Sequence, residues 1–194
     1  MQKDMRVVLV QRGETRWERL SVFISRNDLE LTDTGKQQMH DLGACLQNER
    51  FSAVYTSGMR RNTLSARLIS PGVRIREMEG LAEMDYGEWE GLSPKQIMHT
   101  YPEAWALFDA GGPPPGGERY ETFFRRVSAA VRSILLEQTE SGTILIVLDP
   151  MSMRAALACL LELPFETMWR FGARTASVAV VDIGGGFSVL TRLS

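Results

Sequence analysis

The chain has 194 residues, with 22 basic and 24 acidic side chains and a formal net charge of -2. That balance offers no electrostatic footprint for nucleic acid or an anionic membrane, and no apolar run reaches the ~20 residues of a membrane-spanning helix. With 44% hydrophobic and 24% charged residues, composition and length suit one globular domain over residues 1–194 with a substantial core.

In chain order, Met1–Met5 leads at once into a strand and carries no signal-peptide core, so a cytoplasmic setting is expected. Arg6–Val10 is a continuous apolar strand of the fully buried type. Thr34 to Gln37 forms a capping-box pattern, after which Met39, Leu42 and Leu46 recur at helical spacing. Phe51–Thr56 reads as a second strand, Met59–Ile69 as a helix and Val73–Arg76 as a short third strand. Between Met84 and Gly117 the pattern breaks. Pro94, Pro102 and the run Gly111-Gly112-Pro113-Pro114-Pro115-Gly116-Gly117 punctuate a short helical piece. This stretch is too short to own a core, so 84–117 is expected to be a cap inserted over the site. Phe123, Val127, Val131 and Ile134 mark one face of a long helix starting near Glu118. Thr143–Leu148 is the strongest strand pattern, with a helix over Met151–Leu161 behind it. Ala176–Asp182 and Phe187–Arg192 flank Gly184-Gly185-Gly186 as a closing hairpin. Cys45 and Cys159 fall within apolar-periodic helices and read as two buried free thiols, not a disulfide or a metal pair.

Strands alternating with helices predict an α/β fold, a three-layer α/β/α sandwich with a mostly parallel sheet. In such sheets ligands sit beyond the carboxyl ends of the strands. Three predicted strand ends carry polar residues: Gln11-Arg12, Ser57 to Arg61, and Asp149. The turns and helix N-termini that follow would favour an anion there.

The segment Val7-Val8-Leu9-Val10-Gln11-Arg12-Gly13-Glu14-Thr15 resembles the strand and Arg-His-Gly-Glu-Thr motif that opens the histidine phosphatase (phosphoglycerate mutase-like) superfamily. Further segments resemble the same family in order and spacing. They are Leu31-Thr32-Asp33-Thr34-Gly35 with Gln38, Ser57-Gly58-Met59-Arg60-Arg61 with Thr63, Leu81 to Leu92, Gly116-Gly117-Glu118, and Arg154 five residues after Asp149. Length resembles the short phosphatase branch. The resemblance implies that Arg61 is the family's phosphate-binding Arg and Glu83 its proton-donor position. It also implies that Thr15 and Trp17 belong to the pocket, Trp17 as a wall. It places the phospho-accepting His at Arg12, the preceding Arg at Gln11 and the second His at Asp149. The chain's two histidines, His40 and His99, lie elsewhere and read as helical surface or packing residues, and Arg125-Arg126 reads as a solvated helix face.

A phosphohistidine mechanism needs a neutral imidazole nucleophile and positive charge around the phosphate. A guanidinium stays protonated and cannot attack. Asp149 would repel phosphate, and Arg12 and Arg61 against Asp149 and Glu83 sum to about zero if all are ionised. Arg12 and Asp149 are therefore expected to pair as a salt bridge joined by Arg61. No catalytic residue is intact, and no cofactor or metal is expected. The favoured reading is a pseudoenzyme, a binding or regulatory module over Gln11, Arg12, Thr15, Trp17, Arg61, Glu83 and Asp149. Its partner would be a small phosphorylated ligand or a protein, with a homodimer suggested by family analogy alone. The alternative is an active phosphatase or phosphomutase on small phosphate monoesters using non-standard residues, with Asp149 as an aspartyl nucleophile.

Overall fold

The computed structural model describes residues 4–194; Met1 to Lys3, part of the N-terminal stretch read above, lie outside them. One six-stranded sheet organises these residues, in the order β3-β2-β4-β1-β5-β6. Its strands are β1 (Met5–Gln11), β2 (Phe51–Thr56), β3 (Ile75–Glu77), β4 (Gly142–Leu148), β5 (Val178–Gly184) and β6 (Phe187–Leu193). The first four run parallel, β5 is antiparallel to β1, and β6 to β5.

Among the described residues seven α-helices flank it: α1 (Arg16–Leu20), α2 (Asp33–Cys45), α3 (Arg60–Ile69), α4 (Pro94–Thr100), α5 (Pro102–Asp109), α6 (Tyr120–Glu137) and α7 (Pro150–Leu160). The central strands bury both faces, because successive side chains alternate across a strand. Val8 and Val10 of β1 face Met39 and Leu42 of α2 and Ala66 of α3. Val7 and Leu9 face the opposite layer, with Val127 and Val131 of α6 and Ala155 of α7.

The insertion over 84–117 holds two helices, not one. Ser93 accepts from the Gln96 amide and Pro94 starts α4, while Pro102 opens α5 immediately afterwards. Trp89 is fully buried, with ring centroids 5.0 Å from Phe108 and 5.8 Å from Trp105. Tyr86 stacks 4.3 Å from Phe23. These contacts pack the insertion on itself and on Phe23 of the loop after α1.

Several sequence expectations shift. The cap of α2 is Thr32, whose hydroxyl accepts from the Gly35 amide at 3.0 Å, so the helix starts earlier than Thr34. β3 lies at Ile75–Glu77 because its partners are Val54 to Thr56. Cys45 is exposed and Cys159 half-buried against the core, both free, so neither is the fully buried thiol expected. His40 and His99 are exposed. Arg126 is no solvated side chain: it donates to the carbonyls of Gly80 and Ala82 at 3.0 Å and pairs with Glu118 at 2.8 Å. No described helix is long and apolar enough to cross a membrane.

Candidate active site

The register of the two central strands creates the site. Gln11 lies opposite Leu148 at the carboxyl ends of β1 and β4. The Arg12 amide then donates to the Leu148 carbonyl at 3.0 Å. The next residues outward, Arg12 and Asp149, therefore leave the sheet side by side. Behind Arg12 the chain passes very close to α2. A Cβ on Gly13 would lie 2.9 Å from the carbonyl carbon of Gly35, so only glycine allows this approach. Asp149 stands at the N-terminus of α7 without capping it, and its side chain turns to the arginines instead.

Asp149 is fully buried. Its Oδ1 accepts from Arg12 Nε at 2.6 Å and from Arg61 Nε at 2.7 Å. Its Oδ2 accepts from Arg61 Nη2 at 3.1 Å and from Asn62 Nδ2 at 2.8 Å. Arg61 is thus a two-pronged clamp on one carboxylate, the geometry in which guanidinium contacts are strongest. Burial pushes the Asp149 carboxyl up, but Arg61 and Arg12 outweigh that and hold it down at about 2.

Both arginines have further partners besides Asp149. Arg61 also donates at 2.8 Å to the carbonyls of Ser25 and Asn27. Arg12 donates to the Gly13 carbonyl at 2.9 Å and pairs with Glu18. Burial disfavours the Arg12 charge, yet Asp149 and Glu18 raise its pKa further. Arg12 and Arg61 thus face Asp149 and Glu18, two charges against two. A phosphoryl site requires an excess of positive charge. Here an internal carboxylate sits where an anion would otherwise be held.

Glu83 is buried beside this cluster. Its carboxylate accepts from the amides of Met84 at 2.7 Å and Met151 at 2.9 Å. Burial and then the Asp149 charge push its pKa up to about 8. It borders two cavities, one of about 250 Å³ shared with Arg12, Phe23 and Tyr86, and one of about 710 Å³ shared with Ser25, Ser57 and Glu118.

Arg12, Arg61 and Asp149 therefore meet as the sequence predicts, with Glu83 at their edge. Thr15 is buried, but its N–H and hydroxyl both donate to Glu18, at 2.7 and 2.5 Å, so it positions that carboxylate and faces no cavity. Gln11 and Trp17 stand apart from the two cavities described. Gln11 is buried at the strand end, its backbone bonded to Ser177 and Ala176, and lines neither cavity. Trp17 is half-buried, its ring against Gly91 of the insertion, and lines neither cavity. Glu18, Asn62 and Ser25 were missed. Thr15-x-x-Glu18 is a capping-box spacing that could have flagged Glu18, and Asn62 directly follows the clamping Arg61. Nothing in the sequence marks Ser25. Among the described residues, no cluster of three or more His, Cys, Asp and Glu could hold a metal ion.

A crevice at the carboxyl ends of parallel strands, holding two buried arginines and two buried acids, defines an α/β protein with a charged site where such sheets place their ligands. The profile of the histidine phosphatase superfamily (branch 1) matches residues 7–194, and the chain belongs to that family. It is 32% identical over 193 residues to an acid phosphatase of Mycobacterium tuberculosis, covering 98% of this chain and 93% of that protein. It is 28% identical over 195 residues to the adenosylcobalamin/alpha-ribazole phosphatase of Salmonella typhimurium, covering 98% and 96%. The solved structure of the alpha-ribazole phosphatase from Shigella flexneri superposes with a TM-score of 0.91 at 26% identity, over 97% of this chain and 96% of that one.

Proposed function

We propose that this chain is a member of the histidine phosphatase superfamily that does not transfer phosphate through a phosphohistidine and acts in the cytoplasm as a binding or regulatory module. One observation carries this reading: Asp149 takes four hydrogen bonds from Arg12, Arg61 and Asn62 within the site. Neither Arg12 nor Asp149 is a competent nucleophile there. The guanidinium cannot lose its proton, and the carboxylate is enclosed by four donors and held far below neutral pH.

A second reading has its own support. The relatives named above are phosphatases, and those names favour an active phosphatase on small phosphate monoesters more directly than they favour an inactive protein. Glu83, with a pKa of about 8, would be protonated at neutral pH and suited to donate a proton to a leaving group. On this reading Asp149 must leave its clamp to act.

Steady-state hydrolysis of an aryl phosphate and a panel of phosphorylated metabolites separates the two. The natural chain is compared with Arg12→His/Asp149→His, with and without magnesium. A silent natural chain and an active double variant are expected. Turnover by the natural chain that Asp149→Asn abolishes would establish the second reading.

A further inference from the structure

Among the described residues, four arginines are withdrawn from full exposure: Arg12, Arg61, Arg126 and Arg154. The first three pair with carboxylates of the same chain. Arg154, on α7, is the exception. Among the described residues no acidic side chain lies within ion-pair distance of it. Its Nη1 reaches only the Met151 sulfur, at 4.0 Å, and its Cζ lies 6.0 Å from the ring centroid of Trp169. Its Nη2 makes no hydrogen bond and is not enclosed, so that end of the fork is open. A half-buried guanidinium without a counter-charge is costly and calls for an anion.

Tyr86 supplies a second, independent observation. It is 6% exposed and lines the cavity of about 250 Å³. Its hydroxyl has no hydrogen-bond partner among the described residues and is not enclosed, so it too is an open donor. Burial holds its pKa well above the ordinary value, so the proton stays on; Arg154 acts in the opposite sense, within electrostatic reach of the phenol. Met151, which Arg154 touches, lines the same cavity, and Val22, Phe23, Ile24 and Pro150 extend its apolar wall. Arg12 and Glu18, also on that wall, are paired with one another, and Glu83 is largely protonated at neutral pH.

One unspent guanidinium matches one negative charge. A carboxylate offers two coplanar oxygens to the fork. A phosphate dianion would bring a second charge toward Asp149, whose arginines are already engaged. The apolar wall then selects a hydrocarbon body. We propose that this cavity binds a small apolar monocarboxylate, its carboxylate taken by Arg154 and the Tyr86 hydroxyl and its body packed on Phe23, Ile24 and Met151. The inference gives the binding-module reading its ligand class and rests on that reading.

Calorimetric titration of the full chain with phenylacetate tests this, with phenylacetamide as the uncharged isostere and phenyl phosphate as the dianion. Phenylacetate is expected to bind, and the other two at least tenfold more weakly. Its affinity should fall at least tenfold in Arg154→Gln and about tenfold in Tyr86→Phe, each of which removes a charge-assisted hydrogen bond. Arg154→Lys keeps the charge without the fork and should lose about threefold; with Tyr86→Phe it keeps the test decisive if Arg154→Gln does not fold. No phenylacetate binding, equal binding of either control, or unchanged affinity in the folded variants would overturn the proposal. The same samples are assayed for aryl phosphate hydrolysis. Turnover defeats the binding-module reading and the inference with it, whereas silence without phenylacetate binding defeats the inference alone.

Discussion

Asp149 holds together a buried network in which removing one charge strands others. Asp149→Asn leaves Arg61 without its counter-charge and Arg12 with Glu18 alone. Stability should fall by about 3–5 kcal/mol in urea titration, the usual penalty for breaking a buried pair from one side. Changing both positions at once, as Arg12→His/Asp149→His, should cost less than the sum of the two single changes, because the Arg12–Asp149 contact is then lost only once, although Arg61 is still left without its carboxylate. Asn62→Ala removes one of the four donors and should cost about 1–3 kcal/mol by the same assay. The pair was legible from two residues, Arg12 and Asp149, standing at facing strand ends. Asn62 and Ser25 were not, because their roles arise only when the N-terminus of α3 and the loop before α2 meet the sheet.

The same residues set a pH dependence with two opposite slopes. Asp149 has a folded pKa of about 2, below its unfolded value near 4, so its contribution is present above about pH 4 and is lost as pH falls toward 2. Glu83 behaves in reverse. Its folded pKa of about 8 lies above the unfolded value, so between about pH 4.5 and 8 the unfolded state sheds the proton first and stability declines as pH rises. Denaturant titrations from pH 5 to 8.5 should show this fall, and Glu83→Gln should flatten it. A variant with an unchanged slope would remove Glu83 as its source.

At the scale of elements, the site is a product of register and close approach. β1 and β4 pair so that their last residues align, and α2 can approach the loop after β1 only because Gly13 and Gly35 lack side chains. Gly13→Ala should therefore destabilise the fold by more than about 2 kcal/mol, since the backbone of Gly35 stands in the way. The strands and the long helix α6 were legible because their apolar periods are unambiguous. The cap was legible only as an interruption. Its two helices turn on Pro94 and Pro102, which mark helix starts and read equally well as breaks. Trp89, fully buried among Trp105 and Phe108, should cost about 3–5 kcal/mol when replaced by Ala. Thermal unfolding followed by intrinsic fluorescence would measure it.

At the scale of the whole molecule, a family fold carries a site whose buried arginines are paired with carboxylates of the same chain. The layers, the strand order and the crevice place the site where α/β sheets place theirs, and the profile match spans residues 7–194. Net charge of the chain gives no hint of this, because -2 over 194 residues is ordinary. What distinguishes the protein is local: two arginines bound to their own carboxylates. The Arg12–Asp149–Arg61 pairing is readable from the residues at the strand ends, whereas the part of Glu18 and the lining of the larger cavity come from pairings across the fold.

Anion rescue tests the central claim most directly. Thermal unfolding of the natural chain and of Asp149→Ala is measured with inorganic phosphate from 0 to about 10 mM at constant ionic strength. If the Asp149 carboxylate occupies the phosphate seat, phosphate leaves the natural chain unchanged and raises the melting temperature of the variant, by up to about 2.7 kcal/mol of stabilisation at a hundredfold excess over its dissociation constant. Equal stabilisation of the natural chain would show that the seat is open and would contradict the account.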